Sequence, residues 1–365
     1  MIGKEEKVYF VDIVQRCPLA HHTFLKVRQF FILNNYTITN DMFEADVLVV
    51  NTCGAVDPIV EKGEAYLANL LHKKAAKYIV ILGCLAKLTN KFSQTPSVML
   101  IPHDDIDRFS KYFECQISIR DIGAIFHLVS KLASDHFIII SHGCENDCSY
   151  CNIKLAKGYV HSRSIAEIKN EFSSLVEGGH YKITLLADDS GSYGHDINTN
   201  ITELISELLE IDKKVKIGIY NFFPGTFLKY YADLKQFLLG GRIINICIPL
   251  QSGSPKILKL MNRNYDLERL RAVIEEVREH NPDIYLYTHF IFGFPTETRQ
   301  DFENSIAWAK YFDHSLFLPY VDNKKSAAHT IIPKCSKEEM KNKIQLIKSK
   351  DIRIDLGEIL PEALR

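Results

Sequence analysis

Short apolar runs alternate with helical stretches along almost the whole of this 365-residue chain, and that alternation constrains the fold more than any other feature. A strand, a helix and a second strand in succession read as a βαβ unit, whose strands lie parallel under helical cover. A first array holds candidate strands at Val8–Val14, Ala45–Val50, Tyr78–Leu82 and, more weakly, Val98–Ile101. Helices are suggested over Thr23–Leu33, Val60–Ala75 and Asp105–Phe113. A second array places strands at Phe137–Ser141, Lys182–Ala187, Val215–Tyr220, Ile244–Leu250, Ile284–Phe292 and Leu316–Val321. Its helices carry start signals. Ser164-x-x-Glu167 is a capping box ahead of Ile165, Ile168, Phe172 and Leu175, and Gly178-Gly179 ends that stretch. Asp266 precedes the stripe Leu267, Leu270, Ile274 and Val277, and Thr298-x-x-Asp301 precedes Phe302, Ile306 and Ala309. The expected class is α/β: an open parallel-sheet domain over residues 1–113, a connector over 114–135, a partial (β/α)6 barrel over 136–335 and a helical tail over 336–365. The length exceeds what one core organises, which is why two domains are expected. Working loops belong at the C-terminal ends of such strands.

The cysteines fall where those loops belong. Cys144, Cys148 and Cys151 follow the first strand of the second array, spaced C-x3-C-x2-C. One short loop cannot bury three thiols against different neighbours, whereas soft thiolates are what iron–sulfur clusters and zinc prefer. Three ligands rather than four leave one iron of a cubane cluster open to a small molecule. Cys17, Cys53 and Cys84 are far apart in sequence, yet each follows a strand of the first array. Loops at that edge of an open sheet converge, so this trio reads as a second three-ligand site; the alternative for each is a buried small hydrophobe. Cys115, Cys247 and Cys335 show no such arrangement, and Cys247 reads as core. Residues 1–7 lack an apolar signal core and no apolar run approaches the ~18 residues of a membrane span, so a cytoplasmic protein is expected. Nine cysteines in such a chain point to metal or catalytic use rather than disulfides. Net charge is −1 without a long basic run, which argues against a structured RNA substrate and against a membrane surface.

The combination resembles the radical S-adenosylmethionine (SAM) methylthiotransferases, and the motifs span most of the chain. Tyr150 stands before the last cysteine of the first trio, as an aromatic does in the radical SAM cluster loop. Asn51-Thr52-Cys53-Gly54 and Gly83-Cys84-Leu85-Ala86 are similar to the family's blocks around two of its N-terminal cysteines. Leu186–Gly194, Ile248–Ser254 continuing to Leu258–Met261, and Phe290–Thr298 are similar to further blocks. The resemblance implies two [4Fe–4S] clusters, two SAM molecules per turnover and a reductant such as flavodoxin or ferredoxin. The cluster at Cys144, Cys148 and Cys151 would reduce SAM to a 5′-deoxyadenosyl radical that takes hydrogen from an unactivated carbon. The cluster at Cys17, Cys53 and Cys84 would carry the sulfur that becomes methylthio. By position, Tyr150 would lie against the adenine, Arg163 would pair with the SAM carboxylate, Asp188 or Asp189 would accept from SAM or substrate, and Gln251 would contact the ribose. The competing readings are a core tyrosine, a surface ion pair, a solvated acidic turn and a structural amide. Gly293 and Pro295 read as shaping a turn, and His21, His22 and His289 as structural.

Departures bear on the substrate. Leu19–Leu25 replaces the polar stretch usual after the first cysteine, His289 stands where an acid is common, and Asp188 where a glutamine is usual. About 45 residues follow the last expected strand, with a helical pattern over Ser336–Lys350, whereas the family ends in a small β-barrel that grips its macromolecular substrate. One branch modifies an adenosine of tRNA and another the β-carbon of an aspartate in a ribosomal protein. The Cys17-Pro18, Asn51–Gly54 and Asp188-Asp189-Ser190 wording leans to the protein branch; Gln251–Ser254 leans to the tRNA branch. The expected substrate is a peptide, with an aspartate of a ribosomally made precursor peptide as the specific form. The alternatives are tRNA with a partner protein supplying recognition and, in another class, a two-cluster electron carrier.

Overall fold

The structure, a computed structural model, describes residues 1–14, 17–122 and 136–349 and the backbone of 354 and 355. Residues 123–135 of the expected connector, and most of the tail beyond residue 349, lie outside the described residues. Two compact units form. The first takes the described residues up to Ile122 together with His142–Cys144 and Asn152–Tyr159; the second takes His136–Ser141, Glu145–Cys151 and the chain from Val160. Within the eight residues from Cys144 to Cys151 the chain therefore passes from one unit to the other.

The first unit is built on four parallel strands, β1 (Val8–Asp12), β2 (Val47–Thr52), β3 (Tyr78–Gly83) and β4 (Val98–Ile101), in the order β1-β2-β3-β4. Every residue of β2 is buried, the mark of a strand covered on both faces. Its side chains alternate between two cores. Val47 and Val49 join Phe24, Phe30, Phe31, Phe109 and Phe113, whose rings meet edge to face and stacked. Leu48 and Val50 join Leu67, Leu70, Ile81 and Leu85 on the other side. Helix α1 (Pro18–Leu33) starts directly after Cys17, five residues before the expected Thr23, because Pro18 is pre-set for a first helical turn. Helix α2 is Asp57–His72, and two short helices follow, α3 (Leu85–Leu88) and α4 (Ile153–Lys157); α4 packs against α3. The stretch expected as one helix over Asp105–Phe113 is a 3₁₀ segment, His103–Arg108, with non-helical backbone inside it at Asp105, followed by a single turn, Phe109–Tyr112.

The second unit carries seven parallel strands in chain order, β5 (His136–Ile139), β6 (Lys182–Leu186), β7 (Lys216–Ile219), β8 (Ile243–Cys247), β9 (Tyr285–Phe292), β10 (His314–Pro319) and the two-residue β11 (Ile354–Asp355). Six match the expected strands, and the open sheet does not close. Between them run α5 (Ile165–Glu177), α6 (Ile201–Leu209), α7 (Pro224–Leu239), α8 (Pro255–Leu260), α9 (Leu267–His280), α10 (Arg299–Trp308) and α11 (Lys337–Lys348). The expected capping box is present at Ser164 with Glu167, and further ones form at Thr298 with Asp301 and at Ser336 with Glu339. Among the described residues no helix is long and apolar enough to cross a membrane.

Candidate metal centres

Cys17, Cys53 and Cys84 stand at one edge of the first sheet. Thr52 and Gly83 are register partners at the ends of β2 and β3, so Cys53 and Cys84 leave adjacent strands at the same level. Gly54 presses on Cys84: a Cβ on Gly54 would stand 3.0 Å from that of Cys84. Burial pushes the Cys53 thiol up, and Cys17 lies close enough to push it further, while Lys157 acts the other way. Cys17 caps the sixteen-residue α1, whose positive end favours a thiolate. Gly83 has φ +112, and a side chain there would strike the Thr52 carbonyl.

The trio Cys144, Cys148 and Cys151 begins on a similar device. Gly143 has φ +80, a side chain on it would run into the Tyr159 carbonyl, and the Cys144 N–H donates to the Gly158 carbonyl at 3.4 Å. Beyond it, the loop is fastened to the second unit by its polar side chains and backbone. Asn146 donates to Asp189 at 2.7 Å, Asn262 donates to the Asp147 carbonyl at 2.8 Å, and Ser149 bonds the carbonyls of Leu260 and Met261. The Cys151 N–H donates to the Cys148 carbonyl at 3.1 Å, which turns the chain tightly between the two thiols.

Arg263, which the sequence reading passed over, faces this loop. It is 4 % exposed, its Nη1 donates to the Cys148 sulfur at 3.3 Å, and its guanidinium lies 4.5 Å above the Phe223 ring. Its Nε is buried with no hydrogen-bond partner among the described residues. Burial opposes its charge, but Tyr150 and Cys148 more than offset that and hold the guanidinium above its ordinary value. The signal was present: Arg263 lies two residues past the Leu258–Met261 block.

The other expected ligand contacts are placed differently from one another. Tyr150 packs beside Ile257, Met261, Phe294 and Ala328, and burial raises its hydroxyl well above the usual range. Gln251 adopts φ +72 just beyond β8, and its Oε1 is buried with no partner among the described residues, leaving an acceptor for a ligand. Asp189 is fully used by the protein: it accepts from Ser192 at 2.6 Å, Asn146 at 2.7 Å, Phe223 N at 3.0 Å and Gly191 N at 3.1 Å. Asn146 ties it to the cysteine loop, and burial raises its carboxyl despite those bonds. Asp188 is half-buried beside it. Arg163 donates to the Ile139 carbonyl at 2.8 Å and pairs with Glu171 at 2.8 Å, the ion-pair alternative. Cys247 ends β8 fully buried, as a core thiol. His289 is held down to about 4 by burial, with His314 adding to it.

The donor sets fit clusters. Six of the nine cysteines fall into two trios on loops. Among the described residues no three Cys, His, Asp or Glu side chains converge on one point as ligands of a single ion would.

The Radical SAM superfamily description matches residues 138–309, and that of the uncharacterized protein family UPF0004 matches residues 14–100. The chain is 30% identical to the ribosomal protein uS12 methylthiotransferase RimO of Desulfotalea psychrophila, over 82% of this chain and 72% of its relative. It is 28% identical to a probable threonylcarbamoyladenosine tRNA methylthiotransferase of Pyrococcus abyssi, over 75% of this chain and 67% of that one. In fold it resembles the radical SAM methyltransferase TsrM of Kitasatospora setae, with a TM-score of 0.52 at 13% identity over 86% of this chain and 73% of the other. The 30% identity to the uS12 methylthiotransferase, over 72% of that relative, places this chain in the radical SAM methylthiotransferase family.

Proposed function

We propose that this enzyme inserts a methylthio group at an unactivated C–H bond of a peptide or protein residue, with the β-carbon of an aspartate in a ribosomally synthesised precursor peptide as the specific substrate. The observation that carries the choice of a peptide is electrostatic. Forty-four Lys and Arg face forty-five Asp and Glu, and the sequence holds no long basic run. A structured RNA is gripped mainly through its phosphates, which asks for a basic stripe. The relatives named for ribosomal protein uS12 support the same choice.

Cys144, Cys148 and Cys151 would hold one [4Fe–4S] cluster and Cys17, Cys53 and Cys84 the other; when bound, the first supplies the electron that cleaves SAM and the second carries the sulfur. The chain's own work is to place and insulate these groups. Asp189 fixes Asn146, and Asn262 and Ser149 fix the backbone on either side of Cys148. Arg263 donates to the Cys148 sulfur and offsets the negative charge of three thiolates. Tyr150 and the apolar residues around it keep water from that side of the loop. Gln251 offers its free Oε1 to SAM.

The test is mass spectrometry. With reconstituted enzyme, SAM, reductant and a peptide encoded beside the gene, an aspartate should gain one methylthio in place of hydrogen. Methylthio-modified tRNA nucleosides in an expressing strain, with the peptide unchanged, would overturn the peptide substrate. The relatives named for tRNA make that the second reading.

A further inference from the structure

Each of the four strands of the first sheet delivers a residue of metal-binding type to the same edge. β1 leads to Cys17, β2 to Cys53 and β3 to Cys84, and β4 leads through Pro102 to His103. His103 is 3 % exposed, and neither of its ring nitrogens has a hydrogen-bond partner among the described residues. A buried polar group left unmet costs roughly 1–3 kcal/mol. The ring lies against Gly83, the residue before Cys84: a Cβ on Gly83 would stand 2.9 Å from His103 Nε2. Lys157 is an electrostatic neighbour of both His103 and Cys53, and Cys53 has Cys17 as another. The imidazole thus lies against the residue that leads into Cys84, with Lys157 near both it and Cys53. A neutral imidazole keeps a lone pair on one nitrogen, and histidine replaces cysteine at the irons of some protein clusters.

We propose that His103 is the fourth protein ligand of the cluster at Cys17, Cys53 and Cys84, closing the iron that three thiolates leave open until the sulfur donor displaces it. The exchange trades an iron–nitrogen bond for an iron–sulfur bond, moves no net electrons and releases the imidazole neutral. The proposal rests on the two-cluster reading above. It also gives Gly83 a second reason to lack a side chain, since one would push the ring away from Cys84.

The full-length chain with Cys144→Ala, Cys148→Ala and Cys151→Ala should carry only this second cluster, at about four irons per chain. After one-electron reduction, pulsed electron paramagnetic resonance should show a directly bonded nitrogen, and its coupling should change when the protein is labelled with ¹⁵N-histidine. That measurement needs no change at position 103. His103→Gln should lose the coupling while keeping the iron, and added methanethiolate should remove it from the parent. A cluster of about four irons without histidine coupling, or with the same coupling in His103→Gln, overturns the proposal. A parent that binds no iron overturns the two-cluster reading itself, and the proposal with it; the iron count alone separates that failure from the others.

Discussion

Cys144, Cys148 and Cys151 share one loop, whereas Cys17, Cys53 and Cys84 come from three strand ends of one sheet. The loop is held by side chains that reach it from elsewhere: Asn262, Asp189 and Arg263 act on three successive stretches of it. The sheet-edge trio is placed by the register of β1, β2 and β3, which also builds the hydrophobic core of that unit. A loop can thus be altered one contact at a time, while the sheet-edge site is as robust, and as hard to retune, as the sheet. The two share a single device. Gly83 and Gly143 each sit at positive φ immediately before a cysteine, and each faces a carbonyl oxygen that a side chain would strike.

The comparison is broken most sharply by removing each trio. Replacing Cys144, Cys148 and Cys151 by Ala should abolish 5′-deoxyadenosine formation altogether. Replacing Cys17, Cys53 and Cys84 should leave SAM cleavage measurable and abolish methylthio transfer. Product transfer by the second variant would show that the two trios do not divide the work. Next in size is the glycine pair. Gly83→Ala and Gly143→Ala each force a left-handed backbone on a residue with a Cβ and a collision besides, together costing on the order of 1–3 kcal/mol locally. Each should lower the iron content from about eight to about four per chain, from opposite sites, as read by iron analysis with SAM cleavage retained only in Gly83→Ala. Loss of both clusters from either variant would mean that the glycines serve the fold rather than their neighbouring cysteines.

How much of this was legible in the sequence follows from the same contrast. The loop trio was visible in spacing alone, because its three ligands are neighbours in the chain. The sheet-edge trio needed strand positions first, and those were readable because β1 to β3 are short apolar runs; Tyr78–Gly83 differs from its expected range by one residue. His103 carried no signal, since a single histidine after the weakest strand looks like any other. Arg263 was overlooked because nothing local marks a buried arginine; its burial depends on Phe223 and Pro249, which arrive from other loops. Asp189 was expected at a ligand, yet all its lone pairs go to the protein, an outcome decided by Asn146 and Phe223 rather than by its own neighbours in sequence. The helices Ile201–Leu209 and Pro224–Leu239 were left unassigned although both connect expected strands; the Asn200 and Pro224 start signals were present.

Arg263 offers a finer test, because it touches one trio only. Arg263→Lys keeps the charge but loses the planar fork that reaches both the Cys148 sulfur and the Pro249 carbonyl. A hydrogen bond to a ligand sulfur raises a cluster's potential, so its loss should lower the midpoint of the Cys144, Cys148 and Cys151 cluster by on the order of tens of millivolts. The other cluster should keep its midpoint. Equal shifts in both, measured by redox titration, would mean that the substitution acts through the whole structure.

The smallest expected effect separates the two units by acid. His289 on β9 has its pKa held down to about 4, chiefly by burial, against about 6.5 in an unfolded chain. Between those values the unfolded chain binds a proton that the folded chain refuses. Stability contributed by the neutral ring is therefore complete above about pH 6.5 and is lost as the pH falls towards 4, by roughly 3 kcal/mol in all. His103 in the first unit is depressed in the same direction, again chiefly by burial. The two can be told apart because the chain has one tryptophan, Trp308, and it lies on α10 of the second unit. Followed by Trp308 fluorescence, urea unfolding of the His289→Gln variant should show a shallower loss between pH 6.5 and 4 than the parent, whereas His103→Gln should leave that slope in place. An unchanged slope in His289→Gln, with the slope lost in His103→Gln, would show that the first sheet rather than the barrel sets the acid limit of the fold.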